Sequence, residues 1–269
     1  MQLNALTQAF YEQNAASFSQ TRERGWPGWQ RVARECGLAA QQRLRVLDAA
    51  CGNMRFLRFL EDELPAGSEL EYLALDSCPH LAQAEACSSA RPAAPDTATS
   101  ISAPGAAPRT RATVRFQQID LTAALAAASP LPVPACDLAV CFGFMHHIPL
   151  PAWRAELMRA LADRTRPDGY IAIACWQFLR SSRLARKAEE ATRAGCQQLG
   201  IVLDDPNDKL LGWRDARGTY RYCHSFTESE LSELAAAAPG TREVARFSAD
   251  GSGALNRYLI LQRSATSTR

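Results

Sequence analysis

Val46-Leu47-Asp48-Ala49-Ala50-Cys51-Gly52-Asn53-Met54-Arg55-Phe56 reads as an apolar strand that enters a turn of small residues and leaves it as a helix. A doubly wound α/β sheet receives its ligand at such a point, because the end of the strand and the start of the helix face one crevice. Only Gly52 remains of a glycine-rich turn, so the stretch is a poor dinucleotide fingerprint. That fingerprint needs several glycines to bring backbone against a pyrophosphate.

Outward from this stretch, strand and helix patterns alternate. RLRVLDAAC from Arg43 is followed by a helix through Arg55 to Leu64, then by the strand ELEYLALD and a helix from Pro79 to Ser89. The strands TVRFQQID and CDLAVCFGF come next, then a helix over Pro151 to Arg164 and the strand GYIAIACWQF. Alternation of this kind implies crossovers and a parallel sheet. The stretch from Ser88 to Arg111 is rich in Ala, Pro, Ser and Thr with almost no large apolar residue, and we expect a disordered insertion there.

Leu3 to Leu38 reads as helical, broken at Gly25-Trp26-Pro27-Gly28, which makes it a candidate lid. After Phe178 come a helix dense in Arg and Lys, the polar segment DDPNDKLLGWRDARGTYRYCHSF, and a helix from Thr227 to Ala238. The end, REVARFSADGSGALNRYLILQRS, reads as an antiparallel hairpin turning at Asp250-Gly251-Ser252-Gly253. The expected fold is therefore α/β: a doubly wound, Rossmann-like, seven-stranded sheet, mostly parallel, with a C-terminal antiparallel hairpin. We divide the single domain 1–269 into a lid (1–42), a core (43–177), a substrate-side insertion (178–238) and the terminal hairpin (239–269).

The 269 residues, 47% of them hydrophobic, supply a core for one large domain. No apolar run approaches the ~20 residues that span a bilayer, and the start lacks a signal-peptide layout. The expectation is a cytoplasmic protein with no membrane partner. Nine scattered cysteines without a CxxC pair suggest reduced, buried thiols and no metal site. A net charge of +2 neither announces nucleic acid nor excludes it.

Asp48, Asp76 and Asp120 close three successive strands. Each could simply cap the following helix; three in succession beside this turn point instead to one ligand. With the first turn they resemble the class I S-adenosylmethionine-dependent methyltransferases, whose signature here is D-x-G-C-G-N-G or a close variant. The chain departs from it at Ala50 and Met54, where Gly is usual, and Met54 is expected to reshape the loop or lower affinity. The resemblance implies S-adenosylmethionine as cofactor, held by Asp48, Cys51, Gly52, Asn53, Asp76, Ser77, Asp120, Leu121, Phe142 and Gly143. Asp76 would serve the ribose hydroxyls, Asp120 the adenine amino group and Asp48 the methionine end.

Three further stretches resemble one family, the tRNA wobble-uridine methyltransferases that esterify 5-carboxymethyluridine. They are Phe18-Ser19-Gln20-Thr21-Arg22 with Trp26-Pro27, then Met145-His146-His147, then Arg221-Tyr222-Cys223-His224-Ser225-Phe226 leading into Glu230-Leu231. Asn256-Arg257-Tyr258 also sits where that family has Asn near an aromatic. The resemblance implies Arg22, His146, His147 and His224 as catalytic residues that fork onto or orient a carboxylate, with Trp26, Arg221, Tyr222 and Asn256 at the substrate. It also brings tRNA and a small activator subunit into view as partners. A carboxylate is ionised at pH 7 and needs positioning in line with the departing sulfur rather than a strong base. Two other readings stay open: a methyltransferase acting on a metabolite carboxylate, oxygen or nitrogen, and a non-catalytic binding subunit of the same fold.

Overall fold

The computed structural model describes residues 2–20, 25–79, 110–213 and 216–265. The helix expected from Pro79 and nearly all of the insertion expected over Ser88 to Arg111 lie outside them. Along the chain come α1 (Gln2–Gln20), α2 (Gly28–Glu35), β1 (Arg43–Ala49), α3 (Arg55–Glu63), β2 (Glu69–Asp76), β3 (Arg111–Gln118), α4 (Leu121–Ala126), β4 (Cys136–Phe142), α5 (Pro151–Arg164) and β5 (Thr165–Trp176). Then follow α6 (Ser182–Leu199), β6 (Asp208–Trp213), β7 (Ala216–His224), α7 (Glu228–Ala236), β8 (Thr241–Ala249) and β9 (Asn256–Arg263).

Seven strands form one sheet in the order β3-β2-β1-β4-β5-β9-β8. β1 pairs in parallel with both β2 and β4, whereas β9 runs antiparallel to β5 and to β8. The expected α/β architecture and the terminal hairpin are both present. The strand order reverses at β1, and this places a crevice beyond the ends of β1 and β4.

The central strands are buried on both faces, which explains their nearly continuous apolar sequence. Leu47 and Ala49 of β1 face one core with Leu157 and Leu161 of α5 and Leu231 of α7. Leu44 and Val46 face the other, with Trp29 and Val32 of α2 and Phe56 and Leu60 of α3. β3, at the sheet edge, alternates weakly and is mostly exposed. Among the described residues no helix is long and apolar enough to cross a membrane. The described cysteines are free and, apart from Cys196, buried.

The segment read only as polar before α7 forms a second, two-stranded sheet of β6 and β7. Its apolar support comes from distant parts of the chain. Leu210 and Tyr220 press so closely on Gly195 of α6 that a Cβ there would lie 2.8 Å from Leu210. α1 runs over β7, where the Thr7 hydroxyl accepts a hydrogen bond from the backbone N–H of Tyr222 at 3.1 Å.

The N-terminal segment joins the terminal hairpin at Gly28, whose N–H donates to Asp250 Oδ1 at 2.8 Å. A Cβ on Gly28 would lie 2.4 Å from the ring of Tyr258. That ring is stacked on Phe247, and its hydroxyl donates to Asp250 Oδ2 at 2.6 Å, so it has little room to yield. Gly28→Ala should therefore cost about 1–3 kcal/mol of stability through overpacking, seen as a lower denaturant midpoint at unchanged slope.

Candidate functional site

β1 ends in a reversal that carries three positive φ angles, at Ala50 (61°), Gly52 (55°) and Met54 (53°). For Ala50 and Met54 the left-handed conformation costs on the order of 1–2 kcal/mol each, strain of a kind that concentrates at functional turns. The turn survives without the usual glycines because hydrogen bonds hold it. Cys51 N–H donates to the Leu75 carbonyl and Met54 N–H to the Cys51 carbonyl, both at 3.0 Å. Gly52 N–H donates to Asp76 Oδ2 at 2.8 Å, while Cys78 N–H donates to Asp76 Oδ1, also at 2.8 Å. Met54, expected to disturb the loop, thus adopts the conformation a glycine would take.

Asp48 is buried at the tip of β1 and accepts a hydrogen bond from the Tyr72 hydroxyl. Burial pushes its carboxyl up to about 7; the neighbouring Asp76 adds to the rise, while Tyr72 and Arg55 oppose it. Asp120 does cap a helix, since its Oδ1 accepts from Ala123 N–H at 3.0 Å. It also lines the same cavity as Asp48 and Asp76, a hollow of about 490 Å³. Cys51, Gly52, Asn53, Ser77, Leu121, Phe142 and Gly143 line it too. Trp26 stands 5.5 Å from Trp29 and 6.5 Å from Phe142, ring centre to ring centre, and forms an aromatic wall on one side.

The other end of the cavity is built by α1, β7 and the short 3-10 turn Met145–His147. His147 Nδ1 lies 2.7 Å from the Tyr222 carbonyl, which can only accept, so Nδ1 carries the proton. Nε2 shares a hydrogen bond with the Tyr11 hydroxyl at 2.8 Å. His146 lies against His147 and Trp176, at ring-centre distances of 4.2 and 5.4 Å. Arg221 lines this end, its guanidinium 4.8 Å from the centre of the Phe10 ring and 5.7 Å from that of Trp213. Asn256 also lines the cavity, donating to Asp250 Oδ2 at 2.9 Å.

Two residues expected at the substrate do not reach the cavity. Tyr222 and His224 are both fully buried on the opposite face of β7 from Arg221, as strand alternation requires. The Tyr222 hydroxyl donates to Asp208 Oδ1 at 2.5 Å and accepts from Arg154 Nη2 at 3.0 Å. His224 bonds Asp208 Oδ1 through Nδ1 at 2.6 Å and Glu230 Oε1 through Nε2 at 2.7 Å. With a carboxylate on each nitrogen, His224 is an internal ion-pair hub and has no nitrogen left for a substrate. Arg22 lies outside the described residues.

Among the residues at the site that escaped the sequence reading are Tyr11, Arg55, Tyr72, Trp176 and Asp250. Tyr11 shares an i,i+4 face with Thr7, a spacing that could have singled it out. Asp250 was taken only as a turn residue.

A protein family described as methyltransferase domain matches residues 20–238. No curated protein sequence matches the chain. Among solved structures, the chain is similar to an S-adenosylmethionine-dependent methyltransferase of Methanosarcina mazei, with 16% identity, 85% of this chain and 96% of the other covered, and a TM-score of 0.57. It is similar to DhpI in a complex with SAM and HEP, at 15% identity with 97% of each chain covered and a TM-score of 0.57. Magnesium protoporphyrin IX methyltransferase of Synechocystis PCC 6803 with bound SAH is a third, at 14% identity, 96% and 85% coverage and a TM-score of 0.51. At these identities the likeness is one of fold.

The His224 hub gives stability a pH dependence. Burial draws the imidazole down, but hydrogen bonds to Asp208 and Glu230 outweigh it and raise the value above 6.5. A raised histidine contributes fully at pH below its unfolded value and loses that contribution as pH rises through the folded one. Glu230 has the opposite sign: burial pushes it up, but His224 and Thr227 hold it down to about 2, and its contribution, present above 4.5, is lost as pH falls through 2. Denaturant midpoints should fall as pH climbs beyond 6.5, and His224→Gln should flatten that decline.

Proposed function

We propose that this chain, which belongs to the methyltransferase domain family, transfers the methyl group of S-adenosylmethionine to a small acceptor enclosed beneath α1. The observation that carries this reading is one continuous cavity with two chemically distinct ends. Strand-tip carboxylates stand at one end; Tyr11, His146, His147, Trp176 and Arg221 stand at the other.

The residues of the first end suit S-adenosylmethionine. Asp48 is a buried carboxyl raised by desolvation, the environment in which a nearby sulfonium or ammonium would favour the ionised form. Each Asp76 oxygen accepts one backbone N–H and keeps capacity to accept a ribose hydroxyl. A Cβ on Gly52 would meet nothing within 4 Å, so the turn leaves open space there. Asp120, Ser77 and Leu121 line the same hollow and would serve the adenine, with Cys51, Asn53, Phe142 and Gly143 forming more of its wall. When bound, S-adenosylmethionine supplies an electrophilic methyl group.

At the second end the chain's task is orientation. His147 is held through both ring nitrogens, Nδ1 on the Tyr222 carbonyl and Nε2 on the Tyr11 hydroxyl, so its ring is fixed in place to orient an acceptor. An acceptor that is already a nucleophile at neutral pH needs no more than alignment with the departing sulfur. Two hydrogen bonds anchor α1 across this end, Thr7 to Tyr222 N–H and Tyr11 to His147, which favours an enclosed small molecule.

A second reading, esterification of a wobble-uridine carboxylate in tRNA, is supported by one observation. Trp26-Pro27, His146-His147 and Arg221, drawn from three separate stretches that resemble that family, line the same cavity.

Labelled S-adenosylmethionine incubated with a metabolite extract and with total RNA separates the two. Label should enter the small-molecule fraction, and Asp76→Ala should weaken S-adenosylhomocysteine binding about tenfold or more, the scale of lost hydrogen bonds to a charged group. Label in RNA would transfer the assignment to tRNA. No label in either fraction, with no calorimetric binding of S-adenosylhomocysteine, would defeat both.

A further inference from the structure

Among the described residues, two guanidinium groups line the cavity, those of Arg55 and Arg221. They are placed differently. Arg221 stands at the acceptor end, and its Nε and Nη1 are enclosed by protein. Arg55 is half-buried and opens α3, directly after the strained Met54. Side chains of a helix lean towards its N-terminus, so the first residue of α3 leans back towards the turn that precedes it. Its guanidinium stands 5.5 Å from the ring centre of Trp26 and 5.6 Å from that of Trp29, which brings the charge to the aromatic wall beside the strand-tip carboxylates. Desolvation, with Arg58 adding to it, lowers the guanidinium to about 10 against the opposing pull of Tyr258, Asp48 and Asp250. The group is charged at neutral pH, in surroundings that a further anion would improve.

We infer that Arg55, given the S-adenosylmethionine reading above on which this rests, receives the α-carboxylate of the cofactor's methionine end. It thereby selects an S-adenosyl ligand that carries the whole amino acid over one that lacks the carboxylate. An ammonium and a carboxylate borne on one carbon call for a negative and a positive group side by side. Asp48 and Arg55 supply that pair at one end of the cavity, close enough for each to act on the other's charge. A planar guanidinium can meet a carboxylate with two parallel hydrogen bonds. The remaining lining makes a cation necessary there. Asp48, Asp76, Asp120 and Asp250 all line the cavity, and an α-carboxylate placed among them without a positive partner would meet net repulsion. The competing role for Arg55 is internal: a counter-ion for Asp48 that packs on Trp26 and Trp29. In that role it would do nothing for a ligand's carboxylate, and the acidic lining would favour a ligand that had lost it.

Calorimetry on the full chain with three ligands tests this. They are S-adenosylhomocysteine, its decarboxylated analogue, which keeps the amine, and 5′-methylthioadenosine, which lacks the amino-acid end altogether. Wild type should bind S-adenosylhomocysteine about tenfold or more tightly than the decarboxylated analogue, the scale of a charge-assisted hydrogen bond. Arg55→Met should lose that preference or reverse it, while its affinity for 5′-methylthioadenosine stays within about twofold of wild type. Arg55→Lys, which keeps the charge without the fork, should restore part of the preference. Arg55→Gln should behave as the Met variant does, and it decides the matter should the Met variant not fold. If Arg55 were only a counter-ion and packing group, its loss would weaken all three ligands alike and leave the preference as in wild type. That result, or a preference lost in Arg221→Met and kept in Arg55→Met, would overturn the assignment and leave the S-adenosylmethionine reading intact. Failure of wild type to bind S-adenosylhomocysteine would overturn both.

Discussion

β1 sends its crossover helix to one face of the sheet and β4 sends its own to the other, so neither helix covers the ends of those two strands. Every feature of the site depends on that gap. It lets Asp48 and Asp76 emerge from the core at neighbouring strand tips, and it leaves the turn at Ala50–Met54 free to fold back over β2. The hydrophobic burial of β1, β2, β4 and β5 on both faces supplies the rigidity against which a strained turn and a buried carboxyl can be held.

Onto this platform the chain adds two covers from its own extremities. The terminal hairpin brings Asp250 to Gly28 and Tyr258, closing the side of Trp26. α1 brings Thr7 and Tyr11 to β7 and His147, closing the opposite side. The two covers meet the cavity at different chemistry. One is an aromatic wall beside the strand-tip carboxylates, and the other surrounds a buried guanidinium with polar and aromatic groups.

The parallel core was legible because its signals are local. A period of two or a run of apolar residues marks each strand, and Pro151 and Arg164 bound a helix as the sequence predicts. The strand-tip carboxylates were legible for the same reason, since each stands at or just beyond the end of its strand. The β6–β7 sheet was not, because what orders it lies far away in the chain: Gly195 behind Leu210, and Thr7 on the backbone of Tyr222. Missing that strand also hid its consequence. Alternation along β7 sends Arg221 towards the cavity and sends Tyr222 and His224 into the ion network of Arg154, Asp208 and Glu230. A contiguous run is thus split by the pleat into one residue that lines the cavity and two that pack away from it.

The most direct measurement is a crystal structure of the chain grown with S-adenosylhomocysteine. Density for the nucleoside should lie beside Asp76 and Gly52 with the amino-acid end towards Asp48, in the hollow bounded by Phe142 and Trp26. Density anywhere else on the molecule, or that hollow filled by side chains, would contradict the placement of the cofactor at the tips of β1, β2 and β4.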